Sequence, residues 1–134
     1  MSNGSIEVTH VLPVSPERIY NAWLDAKEHS KFTGRGTTIE PKVGGRFTAF
    51  DGHVEGHSLV LEPHRHIIQS WRSNDFPRGA DDSKVEILLD AVPEGTRFTV
   101  RHTQIPESQV AVLKKGWAER YFEPMSRYFS AAGR

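Results

Sequence analysis

The most promising acid–base group in this sequence is a histidine that alternates with apolar residues. Phe98, Val100 and His102 occupy every second position of one segment, so in a β-strand their side chains point to the same face. Because imidazole titrates near neutral pH, a histidine on the inner face of a sheet has two alternative roles. It either binds a ligand or transfers a proton inside a cavity, or it is a core residue whose nitrogens bond to protein groups. His10, in the first predicted strand, presents the same alternatives.

Two other histidines have a spacing that resembles a metal-binding motif, but they lack a complete ligand set. His53 and His57 are four residues apart, which in an extended strand separates them by about 13 Å, too far to share one ion. The chain has no cysteine, which excludes thiolate ligands, disulfides and a cysteine nucleophile. It also lacks the Gly-x-Ser-x-Gly elbow of a serine hydrolase. We therefore predict no catalytic residue, no metal site and no cofactor.

The element that must position the central histidine is the C-terminal segment from Gln104 to Ala132. Its apolar and aromatic residues recur at steps of three and four, which is the spacing of one face of an α-helix. Pro124 lies inside this segment and is expected to kink the helix, because proline lacks a backbone N–H. A helix of about 25 residues is roughly 37 Å long and needs a broad apolar partner. The predicted face consists of Val110, Leu113, Trp117, Tyr121, Met125 and Tyr128, widened by Phe122 and Phe129.

The rest of the chain predicts that partner, a curved antiparallel sheet. Alternation from Ile6 to Leu12 indicates a first strand, and Ser15-Pro16-Glu17 has the residues that begin a helix. A second short helix is expected around Ala26 to Phe32. Further strands joined by turns fill the chain from Arg46 to Gln104. We predict an α+β fold in one domain, residues 1–134, with about six to seven strands around the C-terminal helix and two short helices after the first strand.

The same alternation predicts which side chains lie between sheet and helix. This space is either a chamber for a small hydrophobic or amphipathic ligand, with His102, Gln69 and Tyr121 as its polar groups, or a filled core. Phe76, in the polar loop 74–82, either covers the mouth of the chamber or meets a partner, or it packs on Trp71 as local core. The predicted ligand-binding residues are Phe47, Gln69, Trp71, Phe76, Phe98, Val100, His102, Trp117, Tyr121 and Met125.

Composition limits the class of protein. Lys plus Arg and Asp plus Glu each number 17, so the formal net charge is +0, which argues against a nucleic-acid partner. No run approaches the roughly 18 apolar residues of a membrane span. Met1 to Ser5 lacks the basic and apolar regions of a signal peptide. We predict a cytoplasmic protein without a membrane span.

Short motifs along the chain occur in an order that is specific as a set. They are the segment Ser15 to Trp23, Gly44-Gly45-Arg46-Phe47, the segment Asp51 to Gly56, Pro63, His66-Ile67-Ile68, Trp71-Arg72, Phe76-Pro77, Gly95-Thr96, Gly116-Trp117 and the segment Arg120 to Glu123. Together they resemble the C-terminal domain of the activators of the heat-shock protein 90 ATPase, within the START-like (SRPBCC) superfamily. The resemblance covers about Ile6 to Phe129. It implies a helix-grip fold, in which a sheet surrounds a long helix with a cavity between them.

The resemblance leaves three functions open. The leading hypothesis is a non-enzymatic domain that binds a small hydrophobic or amphipathic ligand in the cavity. The first alternative is a co-chaperone-like module that interacts with a heat-shock protein 90 homologue, although in the family a separate N-terminal domain supplies most of the stimulation and nothing here corresponds to it. The second alternative is an enzyme acting on an aromatic or polyketide-like substrate, with His102 as acid or base. A void of several hundred Å³ would favour ligand binding, and a filled interior would favour a surface module.

Overall fold

Within residues 3–132, seven antiparallel strands form one sheet in the order β1-β7-β6-β5-β4-β3-β2. The computed structural model describes residues 3–132, so positions 1, 2, 133 and 134 of the predicted domain lie outside the described residues. The strands are β1 (Asn3–Leu12), β2 (Thr38–Ile39), β3 (Arg46–Ala49), β4 (Val54–Glu62), β5 (His66–Ser73), β6 (Ser83–Val92) and β7 (Gly95–Pro106). The helices are α1 (Pro16–Leu24), α2 (Ala26–Thr33), α3 (Val110–Gly116) and α4 (Glu123–Ala132). The predicted α+β arrangement, with two short helices after the first strand, is confirmed.

The two short helices begin at capping residues and are joined to the C-terminal helix. The Ser15 hydroxyl accepts a hydrogen bond from the Arg18 backbone N–H (3.2 Å), and Asp25 caps α2 in the same way. The Arg18 guanidinium donates to both carboxylate oxygens of Glu28, at 2.8 and 2.7 Å. The Tyr128 hydroxyl donates to the same carboxylate (2.6 Å). One carboxylate therefore ties α1, α2 and α4 together.

The C-terminal helix is interrupted by a π-helical turn over Trp117–Phe122. The Glu123 N–H bonds to the Ala118 carbonyl five residues before it, where an α-helix would use a residue four before. This wider turn places Trp117, Tyr121 and Phe122 together in the core. Pro124 follows this turn directly, and the helix continues through it although proline has no backbone N–H to bond to the preceding turn. The kink expected at Pro124 stays a prediction, and the irregularity that this helix shows is the π turn that ends at Phe122.

The inward faces of the strands bury the side chains that alternation predicts. Those of β5, β6 and β7 contribute Ile67, Gln69, Trp71, Val85, Ile87, Leu89, Phe98, Val100 and His102, each no more than 7% exposed. The C-terminal helix covers this face, because the rings of Phe98 and Phe122 pack edge to face at 5.7 Å. Phe47, Met125 and Phe129 complete the core. By contrast, α3 contributes no buried residue.

Candidate functional site

His102 is fully buried, and both of its ring nitrogens bond to protein groups. The Trp117 indole N–H donates to His102 Nδ1 (3.0 Å). His102 Nε2 lies 2.7 Å from the Ser83 hydroxyl, which in turn donates to the Trp71 carbonyl (2.6 Å). Because Nδ1 accepts from the indole and the Ser83 hydroxyl uses its hydrogen on the Trp71 carbonyl, the hydrogen of the neutral imidazole is on Nε2. Burial lowers the pKa of His102 to about 3, and neither nitrogen is free to exchange a proton with a ligand.

Gln69 is a second predicted polar group whose amide bonds to neighbouring side chains. Its carbonyl accepts from the Trp23 indole N–H (3.2 Å). Its amide nitrogen donates to the Ser58 hydroxyl at the same distance. The side chain is 3% exposed, so this pairing occurs in the interior. Gln69 connects α1 to β4 and β5.

Tyr121, the third predicted polar group, bonds to a histidine that sequence reasoning missed. His29 Nδ1–H donates to the Trp23 carbonyl (2.8 Å), which leaves Nε2 to accept from the Tyr121 hydroxyl (3.1 Å). Burial lowers the pKa of His29 to about 4 and raises the pKa of the Tyr121 hydroxyl. The available signal was the spacing of His29 and Phe32, which both lie on the buried face of α2.

The space between sheet and helix is therefore a filled core. The three polar groups predicted to meet a ligand meet other protein groups, and stacked aromatic rings occupy the intervening volume. Trp117 stacks on Tyr121 (4.8 Å between centroids) and on Trp23 (6.3 Å). In residues 3–132 the hydroxyl of Thr37 is the one buried side-chain polar atom without a hydrogen-bond partner. Satisfied polar groups and packed rings are the signature of a protein interior.

Phe76 belongs to this core as well. Its ring packs on that of Trp71, 6.0 Å between centroids, and the side chain is 7% exposed. Arg72 holds the rest of the loop, because its guanidinium bonds to Asp82 (3.3 Å). Of the two alternatives for Phe76, the local packing role is the one observed.

A cleft of about 100 Å³ opens at one end of the filled interior, between α3, the π turn and the ends of β4 and β5. Three predicted residues, Trp71, Trp117 and Tyr121, form part of its wall. The remaining lining residues are Phe50, His53, Val54, Ser73, Asp75, Gln109, Val112, Leu113, Gly116 and Arg120. Predicted residues that do not line it are Phe47, Gln69, Phe76, Phe98, Val100, His102 and Met125. Of the predicted ligand-binding residues, three line the cleft and seven lie in the core away from it.

One wall of the cleft has an unusual backbone. Phe50 and Asp51, between β3 and β4, have φ angles of 52° and 59°, in the left-handed region that aromatic residues seldom adopt. The Gly52 N–H bonds to the Ala49 carbonyl (3.1 Å), which closes a turn with both central residues at positive φ. As a result the Phe50 ring meets Tyr121 edge to face at 5.4 Å. The π turn contributes Trp117, Arg120 and Tyr121 to the same lining.

The rim of the cleft carries separated charges. The Arg120 guanidinium lies over the Phe50 ring, 5.9 Å from its centroid. Within residues 3–132 the structure shows no ion pair for Arg120. His53 and Asp75 also line the cleft, and His53 Nε2 bonds to an Asp75 carboxylate oxygen (2.9 Å). A cationic group without a carboxylate partner and an aromatic wall therefore meet at one opening.

The described residues contain no arrangement suited to a metal ion. In residues 3–132 no three histidine, aspartate or glutamate side chains are placed to hold one. His53, one half of the spaced pair, is bonded to Asp75 instead. His10 contacts Ser126 (2.7 Å) and stacks on Phe122. In the same range no helix is both long enough and apolar enough to cross a membrane.

The chain is similar over most of its length to activators of the Hsp90 ATPase. A family model described as Activator of Hsp90 ATPase homolog 1-like protein matches residues 13–130. An activator of 90 kDa heat shock protein ATPase homolog from Dictyostelium discoideum is 25% identical over 117 residues, which are 87% of this chain and 30% of the relative. Homolog 2 from Mus musculus is 24% identical over 119 residues, 89% of this chain and 36% of the relative. The chain thus spans about a third of the length of these curated relatives. The crystal structure of an HSP90 activator from Plasmodium falciparum has the same fold, with a TM-score of 0.87, 24% identity, and coverage of 94% of this chain and 96% of that one.

Proposed function

Because this chain belongs to the Activator of Hsp90 ATPase homolog 1-like family, we propose that it is a co-chaperone-like module that binds an Hsp90 homologue through its surface. The observation that carries the proposal is the filled interior. An internal carrier needs an empty chamber of several hundred Å³, and here the aromatic rings and bonded polar groups occupy that space. The names of the Dictyostelium and mouse relatives support an Hsp90 homologue as the partner.

Contact with a chaperone on this proposal is weak and local. Lys plus Arg and Asp plus Glu balance at 17 each, so the domain offers little long-range attraction to a charged partner. The chain also spans only about a third of the relatives' length. We therefore expect saturable binding with a small change in ATP turnover. A cytoplasmic location is part of this proposal.

The test measures binding and ATP turnover of a purified Hsp90 homologue with increasing amounts of the 134-residue chain. Turnover that persists with an inhibitor of the chaperone's ATP site is subtracted as background. The expected result is retention of the chain on the immobilised chaperone, with a modest, saturable change in turnover. An unfolded chain could also be retained by a chaperone. The control for this is the Trp117→Ala variant, measured at a temperature at which the variant is unfolded and the parent is folded. Absence of both retention and any turnover change at a large excess would contradict the proposal.

A second candidate function is the binding of a small ligand between sheet and helix, and the cleft favours it. The sequence-based hypothesis placed a small ligand in the interior, but side chains occupy that space. The candidate site for a ligand is therefore the cleft. Its volume of about 100 Å³ is about two-thirds of the roughly 150 Å³ of a cavity that holds one benzene. It is below the range of about 300–1,000 Å³ for drug-sized ligands. A ligand here is therefore of single-ring size, with any remaining part outside the cleft.

A further inference from the structure

We propose that the cleft binds a single-ring aromatic carboxylate, with the ring against Trp117 and Tyr121 and the carboxylate on Arg120. This inference rests on the second candidate function above, ligand binding at the cleft, and is independent of chaperone contact. The wall supplies aromatic groups, since Trp71, Trp117 and Tyr121 all line the cleft. Aromatic ligands gain binding energy by stacking on such surfaces or meeting them edge-on.

The carboxylate is assigned to Arg120 because of the charges at the rim. Arg120 is exposed at the opening, and within residues 3–132 the structure gives it no carboxylate partner. A guanidinium binds a carboxylate with two parallel hydrogen bonds. Of the described residues lining the cleft, Asp75 alone is acidic, and its carboxylate is bonded to His53. The anion is therefore directed to the Arg120 side.

Two unusual stretches of backbone meet at this cleft and provide a second line of evidence. The left-handed Phe50 forms one wall, and the π turn that carries Trp117, Arg120 and Tyr121 forms another. Strained φ angles and π turns are both frequent at functional sites. The π turn also brings Arg120 and the two aromatic residues into one lining.

The ligand class is tested with three probes in NMR titrations of the full chain, namely benzoate, benzyl alcohol and acetate. Benzoate should shift the Trp71 indole N–H and the amides of Phe50 and Arg120 with millimolar affinity, as expected for a ligand of this size. Benzyl alcohol, which lacks the charge, and acetate, which lacks the ring, should bind at least about tenfold more weakly. In Arg120→Gln, benzoate affinity should fall by about 10- to 100-fold, as for the loss of a charged hydrogen-bonding partner. Arg127→Gln, a change on an exposed arginine of α4 outside the cleft, should leave it unchanged.

The outcomes separate the ligand class from the site. If benzyl alcohol or acetate matches benzoate, the cleft is a ligand site but the aromatic-carboxylate assignment is wrong. If Arg120→Gln, with an unchanged melting temperature, binds benzoate as the parent does, the anchoring role of Arg120 is wrong. If no probe shifts any cleft residue, both the ligand class and the second candidate function fail. The chaperone-binding assay is unaffected by any of these results.

Discussion

At the scale of single residues, hydrogen bonds from an indole and a phenol to two imidazoles hold the C-terminal helix on the sheet and on α2. The Trp117 N–H meets His102 of β7 (3.0 Å), and the Tyr121 hydroxyl meets His29 of α2 (3.1 Å). Both bonds lie in a buried region, where an unpaired polar group costs about 1–3 kcal/mol. The two histidines are therefore structural acceptors for the helix.

Trp117→Ala should lower the free energy of unfolding by about 3–5 kcal/mol, because it empties a large core volume. Trp117→Phe retains most of the ring but leaves His102 Nδ1 without a donor, so the loss should be about 1–3 kcal/mol. Urea denaturation of each variant gives these values. Lys115→Ala, on the exposed side of α3, is the matched control and should change stability by less than about 0.5 kcal/mol. A Trp117→Phe protein as stable as the parent would show that the indole bond contributes nothing.

The buried histidines also predict how stability depends on pH. Burial lowers the pKa of His29 to about 4 and that of His102 to about 3, from 6.5 for a free imidazole. The unfolded chain therefore takes up protons below about pH 6.5 that the folded chain does not, and stability falls as pH decreases from there toward 4 and 3. Above pH 6.5 both histidines are neutral in the folded and in the unfolded chain, so their protonation does not reduce stability there. In the window below, each histidine should reduce the free energy of unfolding by about 1.4 kcal/mol per pH unit.

The measurement is urea denaturation from pH 7.5 to 5, a range above most carboxylate titrations. The parent should lose stability across it, and the loss should be shallower in His102→Leu, which removes one of the two protons taken up on unfolding. An equal slope in parent and variant would mean that His102 is not the buried neutral base described above.

At the scale of elements, the π turn sets which residues of the C-terminal helix face the sheet. Deleting the exposed Ala118 should convert the turn to regular α-helix and rotate Trp117 by about 100° relative to Tyr121. The indole then loses its place beside His102, and the free energy of unfolding should fall by about 3–5 kcal/mol. Ala118→Gly is the control, since it keeps the residue count and should cost about 1 kcal/mol. If the deletion costs no more than the glycine substitution, the π turn does not fix the register.

Alternation along the strands was sufficient to predict most of the elements. Phe98, Val100 and His102 share the inward face because strand side chains alternate with a period of two. The two-residue strand β2 has no such period and was not predicted. The π turn was visible only indirectly, since Phe122 and Phe129 widened the helical stripe beyond one regular face. Propensity gives no signal for a turn whose spacing is set by packing.

At the scale of the whole molecule, the predicted resemblance is confirmed, whereas the state of the interior was beyond sequence reasoning. Ser83 and Trp117 lie 19 and 15 residues from His102 in the chain, and His29 lies 92 from Tyr121. Which polar groups satisfy one another across such distances depends on packing in three dimensions. The same residue pattern is compatible with a chamber or with a core. A filled core is compatible with the two proposals made above, binding of a partner at the surface and binding of a ligand in the cleft.

The most direct test of this account is an amide and indole NMR spectrum of the labelled chain during titration with an unlabelled Hsp90 homologue. The indole N–H groups of Trp23 and Trp117 report on the interior, because they bond to Gln69 and His102. We predict shifts or broadening in a contiguous set of exposed amides, while the two indole hydrogens retain slow exchange with solvent. A spectrum that is unchanged at a large excess of the chaperone would contradict the proposed binding at the surface. A small apolar molecule that shifts both indole signals would contradict the account as well, since it would show a ligand chamber where we describe a filled core.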